Sequence, residues 1–168
     1  MFETADELAE LQRLLDAAAA HSNPHMRSIV TPERRLSAAQ VVTYLQWTRH
    51  VALATVTANG EPRVSPLDAL FIHGRFTMGT GAQAARVRNL RTNRACSAVH
   101  MDGDRVAVVV NGRVEWITRG HRDHDSIVAT WLATYGSDPY DLGDIVLFRI
   151  EPVSMWTFAL HSDELPEH

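Results

Sequence analysis

One stretch, Val51 to Leu90 (VALATVTANGEPRVSPLDALFIHGRFTMGTGAQAARVRNL), narrows the choice of fold more than any other. Three apolar and β-branched runs are separated only by short turn signals, Asn59-Gly60 and His73-Gly74. Parallel strands need a crossover of a dozen or more residues, usually helical, so runs this close must pair antiparallel. Asn59-Gly60 predicts a two-residue type I′ hairpin, in which both turn positions take positive φ. Pro66 lies inside the return strand, Arg63 to Phe71, and places that position at an edge or a bulge. After the third strand, Arg75 to Met78, Thr80-Gly81 opens a basic helix over 82–92. A helix N-terminus beside a sheet is a natural seat for a phosphate.

The rest of the chain is fitted to that unit. Thr4 with Glu7 makes a capping box, and Leu8, Leu11, Leu15 and Ala18 follow at helical spacing, so residues 4–20 read as a helix. Its leucine stripe packs on the domain or on a second subunit. His25 to Arg35 reads as a linker with little regular structure. Ser37 repeats the capping box with Gln40 and starts a second helix that ends near Arg49. Further strands are expected at Ala95 to Met101 and Arg105 to Thr118, with Asn111-Gly112 as a bulge in one bent strand. Gly120 to Tyr135 reads as a helix burying Ile127, Val128, Trp131, Leu132 and Tyr135, with Gly136 as its stop. Two last strands, Ile145 to Ile150 and Val153 to Leu160, bend at Pro152, and a polar tail frays beyond them. Six or seven mainly antiparallel strands result, and closure into a barrel is the usual way to remove their edges.

Composition excludes some functions. The net charge is −4 with 16 Lys and Arg, which argues against a nucleic-acid partner, although Arg86, Arg88, Arg91 and Arg94 cluster. A single cysteine, Cys96, rules out an internal disulfide and points to a reducing cytoplasm. The acidic start MFETADELAE fits neither a signal nor a transit peptide, and no apolar run reaches membrane-span length. His121 and His124 share a helical spacing, but with no third ligand in view the sequence assigns no metal. His100 reads as a half-exposed strand residue, and Trp116 and Trp131 as core. Asp68 either contacts substrate or faces solvent.

The runs LATVTANGEPRVSPLDALF and GRFTMGTGAQAARVRNLRTNRACSAV carry a family resemblance. They resemble the FMN-binding split-barrel superfamily, and within it the pyridoxamine 5′-phosphate oxidase-like proteins and the flavin/deazaflavin oxidoreductases. The similarity spans about residues 40 to 160. It implies a mainly β fold with inserted helices: a six-stranded antiparallel split β-barrel over 37–161, preceded by an N-terminal helical arm and linker (1–36) and followed by the polar tail (162–168). It further implies a homodimer with cofactor sites at the interface. The cofactor is FMN or the 8-hydroxy-5-deazaflavin coenzyme (F-420), which exchanges hydride with a small organic substrate.

By this resemblance Val64, Ser65, Pro66 and Leu67 lie along the ring, Thr80, Gly81, Arg86 and Asn89 hold the phosphate segment, and Trp156 brings an aromatic to the site. The family pattern after Thr-Gly has a Ser and then an Arg-Lys pair. Here Ala84, Ala85 and Arg86 occupy those positions, so one basic residue remains. FMN, the deazaflavin and an empty site all stay open, as does a non-catalytic barrel that binds flavin, haem or another ligand. Oxidation of pyridoxamine phosphate is a third option, for which no substrate-phosphate site can be located. No residue presents itself as a catalytic acid.

Overall fold

In a computed structural model, residues 3–166 are described. Two of the expectations reach past its ends: Met1 and Phe2 of the arm, and Glu167 and His168 of the tail, lie outside the described residues. Six strands close into a barrel: β1 (Arg49–Val56), β2 (Pro62–Ile72), β3 (Arg75–Gly81), β4 (Ala95–Asp102), β5 (Val106–Ile117) and β6 (Ile145–Ala159). Around the barrel the order is β1-β2-β3-β6-β5-β4, and β4 pairs back onto β1. Every pairing is antiparallel. Alternate residues of a strand face opposite sides, and those facing inward (Leu53, Met78, Val108, Val114, Phe148, Ile150 and Met155) are fully buried.

The turns exchange roles relative to the sequence reading. His73 (φ 54°) and Gly74 (φ 72°) are the adjacent pair with positive φ, so the two-residue I′ geometry falls there. At the other hairpin only Gly60 is left-handed (φ 83°), and the Thr57 N–H donates to the Glu61 carbonyl at 2.9 Å. That loop is one residue longer, and its left-handed position is filled by glycine alone.

The β5–β6 pair shows β5 as one continuous strand with a register shift at Asn111/Gly112, as expected, but the extra residue lies on β6 rather than β5. Asn111 faces Ser154 and Gly112 faces Pro152, so Val153 is left over. A Cβ on Gly112 would collide with the Glu151 carbonyl, and this close approach requires glycine. The expected pair of C-terminal strands is therefore one continuous strand that absorbs Pro152 beside the bulge.

Five α-helices pack around the barrel. In α1 (Ala5–Ala20) the capping box forms as expected, and Leu11 and Leu15 are buried in the barrel's core cluster, so the leucine stripe packs on its own domain. The expected linker instead contains α2 (Pro24–Ile29), capped by Asn23 with Pro24 at its first position, and a 3-10 turn at Pro32–Arg34. Its second capping box starts α3 (Ala38–Tyr44), which stops five residues before Arg49. The tail is tied down as far as it is described: Gln40 Nε2 donates to the carbonyls of Ser162 (2.8 Å) and Leu165 (3.1 Å). In α5 (His124–Tyr135) Ile127 and Trp131 are buried, whereas Leu132 is 49% exposed, contrary to expectation. Gly136 ends it in the left-handed conformation.

The largest correction concerns the Thr-Gly entry. Thr80 and Gly81 are the last residues of β3, paired with Val146 and Ile145. The following helix, α4 (Ala85–Thr92), starts later, with Ala84 as its N-cap.

Candidate functional site

The barrel wall parts at one place. β2 and β3 pair only between Ala69–Ile72 and Arg75–Met78. Beyond Ala69, β2 stays with β1 down to Pro62, while Thr77 to Gly81 of β3 follow β6. A V-shaped split opens between Pro62–Asp68 and the end of β3, and Pro66, which has no N–H to offer, sits on that unpaired edge.

Arg86 spans the split. Its Nε donates to Ser65 Oγ on β2 at 3.1 Å, and its Nη1 donates to Thr80 Oγ1 on β3 at 2.9 Å. No carboxylate among the described residues pairs with it. Helix α4 is held in place by Asn89, whose Nδ2 donates to the buried Thr55 Oγ1 on β1 at 3.0 Å, and by the fully buried Val87 and Leu90. The N-terminus of α4 has no side-chain cap. Free backbone N–H groups, the positive end of a helix and a guanidinium satisfied only by neutral hydroxyls therefore meet at one point. That donor set suits a phosphate.

Below the split lies a cleft of about 590 Å³. Pro66, Leu67 and Gly79 line it from the wall, and Trp131, Tyr135 and Leu142 close it from the α5 side. At Gly79 a Cβ would fall 2.7 Å from the Trp131 ring, so the glycine lets that indole approach the strand closely. At the rim, His50 Nδ1 and Asp68 Oδ1 are 2.7 Å apart, on directly opposed residues of β1 and β2. Burial raises the Tyr135 phenol above its ordinary range and lowers the His100 imidazole, which is buried against the His50 carbonyl.

The structure thus brings Ser65, Pro66, Leu67, Thr80, Gly81 and Arg86 together. Asn89 anchors the helix rather than facing the split. Val64 points away and is 67% exposed. Trp156 stands apart: within one chain it lines a separate cavity under α1 and α2, together with Leu15, Met26 and Leu36. Sequence reasoning missed His50, Tyr135 and Leu142. The His50–Asp68 pairing follows from the β1–β2 register, but nothing local announces that α5 and the turn after it close the cleft.

His121 and His124 do not converge. His121 Nε2 faces Glu115 at 3.3 Å, and His124 lies between Asp125 and the Tyr140 hydroxyl. Among the described residues no group of three metal-ligating side chains exists. Near His121, Arg149 is 3% exposed and bonds Glu115 Oε2 at 2.6 Å and Asp123 Oδ2 at 2.7 Å. Burial opposes ionisation of both carboxyls, but hydrogen bonds from Arg149 outweigh it and hold both below their ordinary range. Burial also pushes the Cys96 thiol up to about 11, which makes it a poor nucleophile.

Comparison with known proteins agrees with the fold. The family profile of pyridoxamine 5′-phosphate oxidase matches residues 37–159. No curated protein matches the sequence. Among solved structures, a conserved hypothetical protein from Mycobacterium tuberculosis is 22% identical with a TM-score of 0.65, over 80% of this chain and 92% of that one. The haem storage protein HutZ from Vibrio cholerae is 18% identical (TM-score 0.58), over 82% of this chain and 93% of that one. An F-420 reductase is 21% identical (TM-score 0.54), over 68% of this chain and 94% of that one. At these identities the likenesses establish a shared fold. No helix among the described residues is long and apolar enough to cross a membrane.

Proposed function

The chain belongs to the pyridoxamine 5′-phosphate oxidase family, and on that premise we propose that it is an oxidoreductase dependent on FMN or the deazaflavin F-420. The observation that carries this reading is Arg86, held across the split by Ser65 and Thr80 with no acid among the described residues to neutralise it. When bound, such a cofactor supplies hydride chemistry through its ring. The protein's own residues orient and enclose. Arg86, Thr80 and the open N-terminus of α4 take the phosphate, with Gly81 leaving the backbone bare beside it. Ser65, Pro66 and Leu67 offer a wall for the ring, and Trp131 and Tyr135 keep the opposite side dry. The substrate is a small organic molecule that enters the cleft.

The site belongs to a homodimer in this reading. Val64, Met101 and Val153 are each more than 60% exposed, an apolar surface suited to a second copy. Trp156, remote from its own chain's split, enters a site only across such an interface.

The test is direct. The purified protein is examined for flavin or deazaflavin absorption, then stripped and titrated with FMN and with F-420. Micromolar binding of either, reduced in Arg86→Ala, supports the proposal; failure of both to bind at micromolar concentration ends it.

A second reading is a barrel that binds flavin, haem or another ligand without turnover. Ala84 and Ala85 favour it, because they remove two phosphate ligands of the family pattern. HutZ, described as a haem storage protein, has the same fold. Tight binding without turnover across a panel of electron acceptors decides for this reading.

A further inference from the structure

A second cleft lies on the other side of β6 from the Thr80–Val146 pair. Its volume is about 320 Å³, within the range of small-molecule sites. Arg91, at the end of α4, and Arg119, in the β5–α5 connection, stand at its edges; Trp116 and Tyr140 form its walls, and Val146 lies on its floor. Both arginines are exposed, and neither has a carboxylate or hydrogen-bond partner among the described residues. Two unneutralised guanidiniums at one opening raise the local potential and attract an anion.

The aromatic walls are fixed in advance. The Arg119 guanidinium centre sits 4.6 Å from the Tyr140 ring centroid. The Tyr140 hydroxyl is 3.0 Å from His124 Nε2, and the two rings stack at an interplanar angle of 19°. Trp116 is braced by Phe148, with centroids 5.8 Å apart. Side chains already held in place lose little entropy when a ligand arrives. Flat walls and an aliphatic floor favour a planar apolar body, and the paired guanidiniums favour a carboxylate on its edge.

We propose that this cleft binds a small aromatic carboxylate, with the ring against Trp116, the edge of Tyr140 beside it, and the carboxylate on Arg91 and Arg119. The site is separate from the cofactor seat, since Arg86 faces Ser65 and Thr80 instead. It therefore stands or falls independently of the oxidoreductase reading.

The probe is 2-naphthoate, titrated into the full-length protein by calorimetry. Saturable binding is expected, weakened at least tenfold in the double variant Arg91→Gln/Arg119→Gln. Naphthalene-2-carboxamide, a neutral analogue, should bind the unaltered protein at least tenfold more weakly, a comparison that does not depend on how any variant folds. Saturating FMN should leave the naphthoate affinity unchanged. Absence of saturation at millimolar naphthoate, equal binding by the double variant or by the carboxamide, or competition by FMN would each overturn the assignment.

Discussion

Two arginines of this barrel occupy opposite electrostatic situations. Arg149 is buried on β6 and clasped by two carboxylates, Glu115 and Asp123. Arg86 is half-buried on α4 and clasped by two neutral hydroxyls. Both are held by Nε and one terminal nitrogen, so the geometry is similar. The difference is what remains of the charge. Arg149 is neutralised, and its interactions are complete within the chain; it ties β6 to β5 and to the start of α5. Arg86 is positioned but not neutralised among the described residues. A buried cation supplied with acids is a structural joint, and one supplied only with hydroxyls fits the binding role proposed for Arg86.

The largest expected effect breaks the joint. Arg149→Ala leaves Glu115 and Asp123 partly buried without their cation, and breaking a buried ion pair from one side costs on the order of 3 kcal/mol. Urea denaturation at neutral pH measures it. The cofactor affinity of whatever fraction folds should stay within a factor of two or so, about 0.4 kcal/mol. A stability loss below about 1 kcal/mol would mean that Arg149 is no joint.

Acid sharpens the same contrast. Burial works against the charged forms of Glu115 and Asp123, but bonding to Arg149 prevails and lowers both folded-state values below 4.5 and 3.8. Their stabilisation is full above those values, where both states are ionised. It is lost as pH falls through the lowered folded values, because the unfolded chain takes up protons first. Denaturation midpoints measured from pH 6 downward should therefore fall steeply below about pH 4.5 in the parent protein. In Arg149→Ala that slope flattens. In Arg86→Ala it stays as in the parent, because Ser65 and Thr80 do not titrate in this range. Equal slopes in all three proteins would remove Arg149 as the cause.

Arg86→Ala comes next in size. Two hydrogen bonds to neutral hydroxyls are lost, worth about 1 kcal/mol each at most. The affinity for FMN or F-420 should fall at least tenfold, equivalent to about 1.4 kcal/mol. The two substitutions are thus expected to part on binding: Arg149→Ala costs more stability and spares the affinity, whereas Arg86→Ala costs less stability and weakens it. A large stability loss with unchanged affinity in Arg86→Ala would collapse the distinction.

How much of this was legible in the sequence depended on the range of the interaction. Local rules worked well. Both capping boxes and the Gly136 stop depend on residues within a turn of one another, and all formed as read. The antiparallel sheet followed from the short turns. Longer-range features were harder. Asn59-Gly60 matches the I′ signature, yet the I′ turn fell to His73-Gly74, because strand register decides how many residues the loop must span. Thr80-Gly81 read as a helix entry, but pairing with Val146 and Ile145 extended β3 through it and moved the helix start to Ala85. Ser65, Pro66, Leu67, Thr80 and Arg86 were named from the sequence by its family resemblance. Their assembly across the split, and the contribution of Trp131 and Tyr135 from α5, needed the fold.

The smallest effect tests the open helix end beside Arg86. Ala84 has the backbone of an N-cap (φ −60°, ψ 144°) but no side chain to cap with. Ser and Asp at such a position each gain about 1 kcal/mol over Ala by accepting a free N–H. Ala84→Ser should therefore raise the melting temperature slightly, and its neutral hydroxyl leaves the positive field of the helix end intact. FMN affinity should then hold or improve, since the family pattern carries a serine there. Ala84→Asp should stabilise at least as much, because a carboxylate also favours the helix dipole. But it places a negative charge where the phosphate is expected and next to the Arg86 guanidinium, which has no acid among the described residues. Its FMN affinity should fall severalfold while its melting temperature rises. If Asp raises stability and leaves binding unchanged, the N-terminus of α4 is not the anion seat, and Arg86 holds its charge for a ligand that approaches from the cleft side alone.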